Sequence, residues 1–387
     1  MPLANSFPAG PEAFPGEQVY PLAVTACTDC GLVQLNFVVP AEQLYRDYIY
    51  VSSTSDGVKA HADYLAETLI DQYGWQPRDL IVEVASNDGT VLQAFKKRRM
   101  RVLGVEPARN IATIAEASGI PTIAEFFNGE SARTVRSTHG RAAAVLGRHV
   151  FAHVDNVHEF VAAVRDVLTD DGVFIIEVPY LGDFLEKLEF DTIYHEHLSY
   201  FSLAAVQRLC SRHGMALVDA ERVGLHGGSV VLHMRRAEAP STPSARLTQL
   251  LAEERAAGLT APARLAAFAA GIRAWKHDLE ALIGDLTRGG ATLVGYGAAA
   301  KANTLLNYCP DVARQLRVIF DRSPHKHGRY TPGTHIRVEP VDRWVDVPAS
   351  HMLILAWNFQ QEIMSQMSAF KDRGGHFIIP IPTLQVI

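Results

Sequence analysis

Two short apolar runs, each passing at once into a small-residue turn and then a helix-like pattern, constrain this chain more than any other feature. The first is Leu80-Ile81-Val82-Glu83-Val84, which leads into Ala85-Ser86-Asn87-Asp88-Gly89. The second is Leu293-Val294-Gly295, which leads into Tyr296-Gly297-Ala298. A run that is apolar at consecutive positions fits a strand buried on both faces, the kind that forms parallel sheets with helical crossovers. Further runs at 102–105, 144–146 and 173–176 follow the first start, and runs at 318–320, 352–355 and 377–379 follow the second, with helical stretches between them. The fold class is therefore α/β, with two strand–glycine-loop–helix units in one chain. Residues 229–234 read as a late antiparallel strand.

The flanks divide the chain. Residues 1–40 are rich in proline and turn formers, with one Cys-x-x-Cys, and residues 41–72 look helical around the polar run Ser52-Ser53-Thr54-Ser55-Asp56-Gly57. Pro240-Ser241-Thr242-Pro243-Ser244 reads as a linker, and Leu265, Phe268, Ile272, Trp275, Leu279, Leu282 and Leu286 beyond it form one apolar helix face, a core-packing pattern. The expected modules are 1–72, 73–239 and 240–387. A net charge of −6 offers no basic patch for nucleic acid. No apolar run approaches the roughly 20 residues that span a bilayer, and Met1-Pro2-Leu3-Ala4-Asn5 lacks the features of a signal peptide. Cys27, Cys30, Cys210 and Cys309 make no disulfide framework in 387 residues, which fits a reducing cytoplasm.

The first loop sets the cofactor expectation. Glu106 ends the second strand 23 positions after Glu83, where a carboxylate is suited to ribose hydroxyls. NAD and S-adenosylmethionine (SAM) sites share that device. The loop lacks G-x-G-x-x-G, and SAM has no pyrophosphate to cradle, so Glu83, Ser86, Asn87, Asp88, Gly89 and Glu106 favour SAM; the plain alternative is an ordinary βα turn with a surface acid.

The segment Phe190-Asp191-Thr192-Ile193-Tyr194-His195-Glu196-His197-Leu198-Ser199-Tyr200-Phe201-Ser202 follows the fourth strand, on the side where open α/β sheets bind ligands. Removing a proton beside a ketone needs a base with a pKa near working pH, and the enolate needs fixed donors. Tyr194, Glu196 and His197 can supply that set. A metal reading is weak without His-Glu-x-x-His, and a purely structural polar cluster is the other alternative. His226, before Gly227-Gly228, reads equally as a site residue or a turn residue.

In the second unit, Gly295-Tyr296-Gly297 opens the helix carrying Lys301 and Asn303, a place for a phosphate on backbone N–H groups unless it is only a tight turn. Downstream, His325-Lys326-His327-Gly328-Arg329 offers cations to a diphosphate, or is a solvated basic loop.

Taken together, these segments resemble the NDP-sugar C-methyltransferases. The likeness runs through Glu83–Gly89, Gly104–Pro107, Phe151-Ala152-His153, Phe190–Ser202, His226–Gly228, Gly295–Asn307, His325–Gly333, Ala356-Trp357-Asn358 and Gly374–Pro380, nearly the whole chain in order. The resemblance implies a class I SAM-methyltransferase Rossmann-like sheet, a second Rossmann-like C-terminal domain that helps hold the nucleotide-sugar, and a small N-terminal zinc-type module. It implies His197 as the base that takes the C3 proton of a dTDP-4-keto-deoxysugar, assisted by Tyr194 and Glu196. It extends the cofactor contacts to Pro107, Phe127 and His149. Substrate contacts are expected from His195, His226, Gly295, Tyr296, Gly297, Lys301, Asn303, Lys326 and Arg329. The expected partner is a nucleotide-linked keto-sugar, without nucleic acid or membrane, bound by a monomer or weak homodimer. The rivals are a SAM methyltransferase for another small keto acceptor, a nicotinamide-dependent oxidoreductase, and a non-catalytic nucleotide-sugar-binding homologue.

Three positions depart from the family pattern. Its zinc module uses two Cys pairs, whereas only Cys27 and Cys30 are present here, two of the four ligands a structural zinc needs. The opening Pro2-Leu3-Ala4-Asn5-Ser6-Phe7 lies after the first pair in relatives, so a start upstream of Met1 is the expectation and loss of zinc the alternative. Arg148 and His149 stand where relatives often carry asparagines near the cofactor, and Ala302 where glycine is usual.

Overall fold

The structure is a computed structural model that describes residues 1–45, 51–54, 56–224 and 227–387. Its strands are β1 (Val24–Ala26), β2 (Val33–Leu35), β3 (Leu80–Val84), β4 (Arg101–Val105), β5 (Thr122–Ile123), β6 (Ala142–Arg148), β7 (Leu168–Pro179), β8 (Ser199–Tyr200), β9 (Met215–Val223), β10 (Ser229–Arg236), β11 (Leu293–Tyr296), β12 (Leu316–Asp321), β13 (Val338–Pro340), β14 (His351–Ile354), β15 (His376–Ile379) and β16 (Gln385–Val386). The helices that matter here are α1 (Ala41–Tyr45), α2 (Asp56–Tyr73), α3 (Thr90–Lys97), α4 (Arg109–Ala117), α5 (Gly129–Thr138), α6 (Val157–Val167), α7 (Leu181–Glu186), α8 (Leu203–Arg212), α9 (Ala245–Ala257), α10 (Pro262–Arg288) and α11 (Ala300–Tyr308).

A seven-stranded sheet is ordered β5-β4-β3-β6-β7-β10-β9. Strands β3 to β7 pair in parallel, and β10 and β9 are added antiparallel at one edge. This is the Rossmann-like methyltransferase sheet with a reversed hairpin. Alternation along β3 explains its two cores. Leu80, Val82 and Val84 face α5 and α6, while Ile81 faces α2, α3 and α4. Because both faces are covered, every position of β3 is buried, and each fully buried Leu, Ile or Val contributes roughly 1.5–3 kcal/mol. Local signals start the helices: Asn128 and Ser131 form a capping box on α5, and the Ser202 hydroxyl caps α8.

The second unit is a six-stranded sheet ordered β13-β12-β11-β14-β15-β16, parallel except for β16. Helix α10 joins the two units. Leu265 and Phe268, early in the helix, pack on the first core, while Trp275, Leu279 and Ile283 are buried in the second. Helix α9, which lies beyond the linker, stays with the first unit. Its Leu247 is in the first core, and Glu254 accepts from the N–H groups of Leu203 (2.6 Å) and Ala204 (3.0 Å) at the start of α8. Helix α2 likewise buries Ala62, Ala66 and Leu69 against the first sheet.

The N-terminal module is built onto the site. Strand β2 pairs on one side with β1 and on the other with β8, inside the His-Glu-His segment. The stretch before β1 runs across the second unit and buries Phe7 in its core.

Candidate active site

The loop after β3 alternates through the left-handed region at Ala85 (φ 52°), Asn87 (φ 52°) and Gly89 (φ 78°). Asparagine and glycine tolerate that conformation; at Ala85 it costs roughly 1–2 kcal/mol. The loop is held from two sides. Glu106 accepts from Asn87 N–H (2.8 Å) and from Ala108 N–H (2.9 Å). The backbone N–H groups of Ser52 and Ser53 donate to the side chains of Asn87 (2.8 Å) and Asp88 (2.9 Å). Burial pushes the Glu83 carboxyl up to about 8, against the opposing charge of Arg148. Glu83 Oε2 and Ser86 Oγ are buried without a hydrogen-bond partner, and each Glu106 oxygen has a second lone pair available. A polar loop with unused acceptors and an accompanying ribose-type carboxylate fits SAM. Pro107 follows Glu106 at the approach to α4. Phe127 is half-buried, its ring edge-on to Phe160 at 5.2 Å.

His149, at φ 51°, belongs to a charged cluster that the sequence reading did not pick out. Its Nε2 is 3.2 Å from Glu177 Oε1, Arg148 Nε donates to Glu177 Oε2 at 3.1 Å, and His61 Nε2 is 3.9 Å from Oε2. Burial raises the Glu177 pKa, but hydrogen bonding from His149 and the charges of His149 and Arg148 outweigh it and hold the carboxyl well below its usual range.

Beyond β7 the His-Glu-His segment turns back into the molecule. The Nδ1–H of His197 donates to the Thr192 carbonyl at 2.9 Å, because a carbonyl can only accept. That bond fixes the tautomer and leaves Nε2 as the acceptor, 2.9 Å from the Tyr194 hydroxyl. Burial lowers the His197 pKa to about 4, below the near-neutral value expected of a base, so the ring is neutral and unprotonated at neutral pH but weakly basic. The His153 ring meets it edge to face at 5.0 Å, and His153 Nδ1 is 2.9 Å from the Tyr45 hydroxyl, which itself donates to the Glu196 carbonyl at 3.2 Å. Burial pushes the Glu196 carboxyl up to about 7, with Asn5 Nδ2 donating to its Oε1 at 2.6 Å.

Across the domain boundary, α11 and the Trp357 segment complete the wall. Asp191 is fully buried, and its Oδ2 accepts from Trp357 Nε1 at 2.7 Å. The Lys301 ammonium lies 4.3 Å from the centre of the Trp357 ring. Asp191, Trp357, His153, Tyr45 and Asn5 were not singled out from the sequence, although Asp191, Trp357 and His153 lie within the motif segments that carry the family likeness.

Several expected substrate residues are placed elsewhere. His195 is 1% exposed and donates from Nε2 to the Pro21 carbonyl at 3.0 Å, so it fastens the N-terminal module. Tyr296 points into the far core of the second sheet, its hydroxyl 3.0 Å from Gln366 Oε1. A Cβ on Gly295 would come within 2.9 Å of Ile319 and 3.0 Å of Leu355, so this glycine serves strand packing. Gly297 (φ 94°) makes the turn, donates its N–H to Phe320 O at 2.7 Å and gives way to Ala356. Asn303 is buried and donates to Ala4 O at 2.7 Å, while Arg329 donates to Phe7 O at 3.3 Å. Lys326 donates to Ala298 O at 2.9 Å, near Asp321 at 3.5 Å. The N-terminal stretch and the Asp321 corner thus occupy groups expected to meet a diphosphate. His226 lies outside the described residues.

Cys27 and Cys30 flank the turn between β1 and β2, and the backbone N–H groups of Cys30 and Asp29 lower the Cys27 thiol pKa, a favourable setting for a thiolate. Among the described residues, no group of three or more His, Cys, Asp or Glu is arranged to hold a metal ion. No helix among them is long and apolar enough to cross a membrane.

Three family models match the chain. They are described as "Putative zinc binding domain" over residues 1–45, "Methyltransferase domain" over 59–220 and "C-methyltransferase C-terminal domain" over 224–382. The C-methyltransferase NovU of Streptomyces niveus is 35% identical over 386 residues, spanning 100% of this chain and 92% of its own. Among solved structures, the magnesium protoporphyrin IX methyltransferase ChlM of Synechocystis PCC 6803 with bound SAM aligns at 11% identity and TM-score 0.36, over 51% of this chain and 89% of that one. The CcbJ methyltransferase of Streptomyces caelestis aligns at 11% identity and TM-score 0.36, over 46% of this chain and 89% of that one. With three family models in sequence and a relative 35% identical over this chain's whole length, the chain belongs to the SAM-dependent C-methyltransferase family.

Proposed function

We propose that this C-methyltransferase acts on a nucleotide-linked 4-keto-deoxysugar and methylates C3. The observation that carries the reading is the state of His197, a buried neutral imidazole in one tautomer whose acceptor nitrogen meets the Tyr194 hydroxyl.

A ketone at C4 makes the C3 proton acidic. The proton path runs through the Tyr194 oxygen to His197 Nε2: the phenol gives its hydrogen to Nε2 as it takes the substrate's. The electron pair left on C3 spreads onto the ketone oxygen as an enolate. When bound, SAM would supply the electrophile, a sulfonium methyl that C3 would take, the electron pair of the methyl–sulfur bond staying on the thioether. Ser86, Asn87, Asp88, Gly89, Glu106 and Pro107 would hold it, with Glu83 beneath the loop and Phe127 and His149 at its margin. Glu196, its carboxyl pushed up to about 7 by burial, assists from the same loop. His197 finally returns its proton to solvent. The second unit provides the opposite wall and the nucleotide-binding surface.

The test is an endpoint mass spectrum after incubation with SAM and a dTDP-4-keto-2,6-dideoxy sugar. The expected result is a methylated sugar nucleotide with S-adenosylhomocysteine as co-product, and NMR should place the new methyl on C3. Methylation of a small keto acid but no sugar nucleotide would overturn the substrate class.

A further inference from the structure

His197 and Lys301, a cation whose charge reaches it, are joined across the domain boundary by two consecutive residues. Thr192 takes the Nδ1–H of His197 at 2.9 Å, and Asp191 takes the indole N–H of Trp357 at 2.7 Å. Trp357 carries the Lys301 ammonium on its ring face at 4.3 Å. Both acids in this corner have a buried oxygen without a hydrogen-bond partner, Asp191 Oδ1 and Glu189 Oε1. The ammonium is therefore not hydrogen-bonded to those atoms, although its charge lowers the pKa of both carboxyls against the effect of burial. A cation held by a ring face keeps its N–H donors available to a ligand. It also sits in a partly desolvated corner, where its charge acts more strongly than in water.

We propose that Lys301 is the electrophilic partner of His197, its ammonium meeting the ketone oxygen of the acceptor as the α-carbon loses its proton, rather than a ligand for the diphosphate. Asp191 and Trp357 are positioning residues: they hold the cation at a set distance from the base. The inference rests on the keto-sugar reading above. The step balances without a further reactant. The C–H bond breaks, its proton goes to His197 through Tyr194, and its electron pair ends on the oxygen facing Lys301.

The experiment separates enolisation from methyl transfer and from phosphate binding. Wild type, Lys301→Met and Lys301→Arg are incubated in D2O with the dTDP-4-keto-2,6-dideoxy sugar and S-adenosylhomocysteine in place of SAM, and deuterium uptake beside the ketone is followed by NMR. Binding of dTDP alone and of SAM is measured by calorimetry. Lys301→Met should lower exchange by about 10²–10³-fold, the usual effect of losing one oxyanion donor, with dTDP and SAM affinities unchanged. Lys301→Arg should recover part of the exchange. Unchanged exchange in Lys301→Met overturns the inference alone. A tenfold or greater loss of dTDP affinity, with exchange intact at saturating sugar, overturns it in favour of a phosphate ligand. No exchange by the wild type overturns the keto-sugar reading, and the inference falls with it. SAM binding in each variant reports that the chain is folded.

Discussion

Asn5 and Glu196, 191 positions apart, meet in one hydrogen bond: the amide Nδ2 of the first donates to Oε1 of the second at 2.6 Å. Glu196, a carboxyl of the proposed site, has its pKa pushed up to about 7 by burial and pulled down by this amide. Asn5→Ala removes the donor that favours the charged form, so the pKa should rise further. The kcat profile should show an inflection near pH 7 that moves to higher pH in Asn5→Ala and vanishes in Glu196→Gln. An inflection unmoved by either change would place it on another group.

His197 should carry the proton step. His197→Ala or His197→Asn should lower turnover by roughly 10²–10⁴-fold, the range of a general base, while SAM affinity by calorimetry stays at the wild-type value. With its pKa near 4, the wild-type imidazole is already unprotonated at pH 6, so its own titration should not limit the rate there. If activity barely changes in either variant, Tyr194→Phe becomes the variant to compare.

Glu83 links pH to stability through its raised pKa of about 8. A carboxyl raised in the folded state binds its proton more tightly there than in the unfolded chain. Its contribution is fully present below the unfolded value, near 4.3, and is lost as pH rises through about 8. Glu83→Gln removes the titration. Its Tm relative to wild type should rise between pH 5 and about pH 8 and level off above that in scanning fluorimetry; a constant difference throughout would show that Glu83 does not titrate in that window.

Trp357→Phe keeps the ring face but removes the indole donor, leaving Asp191 Oδ2 buried and unpaired. A lost hydrogen bond to a charged group costs about 1.5–3 kcal/mol, which should appear as a lower urea midpoint for the transition that reports the domain boundary. Trp357→Phe/Asp191→Asn should recover part of that loss, since the remaining partner is then neutral.

Much of the architecture was legible because it is local. A buried parallel strand announces itself within five residues, as at Leu80–Val84, and the adjoining Asn87-Asp88-Gly89 is a turn signature by residue type alone. The late strand at Ser229 was legible too, whereas β9, with Asp219, Glu221 and Arg222 among its nine residues, gives too mixed a pattern to stand out. The proposed base segment was readable as candidate chemistry because Tyr194, Glu196 and His197 fall within four residues. The second glycine loop was legible as a turn, but not in its use. Alternation along β11 puts Gly295 and Tyr296 on opposite faces, and nothing local says which face meets the ligand.

Hydrophobic period and turn chemistry act over a few residues, which is why the two α/β units could be read from the chain and the Glu83–Gly89 and His-Glu-His segments picked out as candidates. What surrounds those candidates depends on packing. Asn5 reaches Glu196 across 191 positions, and Trp357 reaches Asp191 across 166. His195 faces the N-terminal module while His197, two residues on, faces the site. These pairings depend on which buried polar groups find one another once the two sheets and the N-terminal stretch have packed, and a buried donor takes the acceptor that packing brings to it, whatever its distance along the chain.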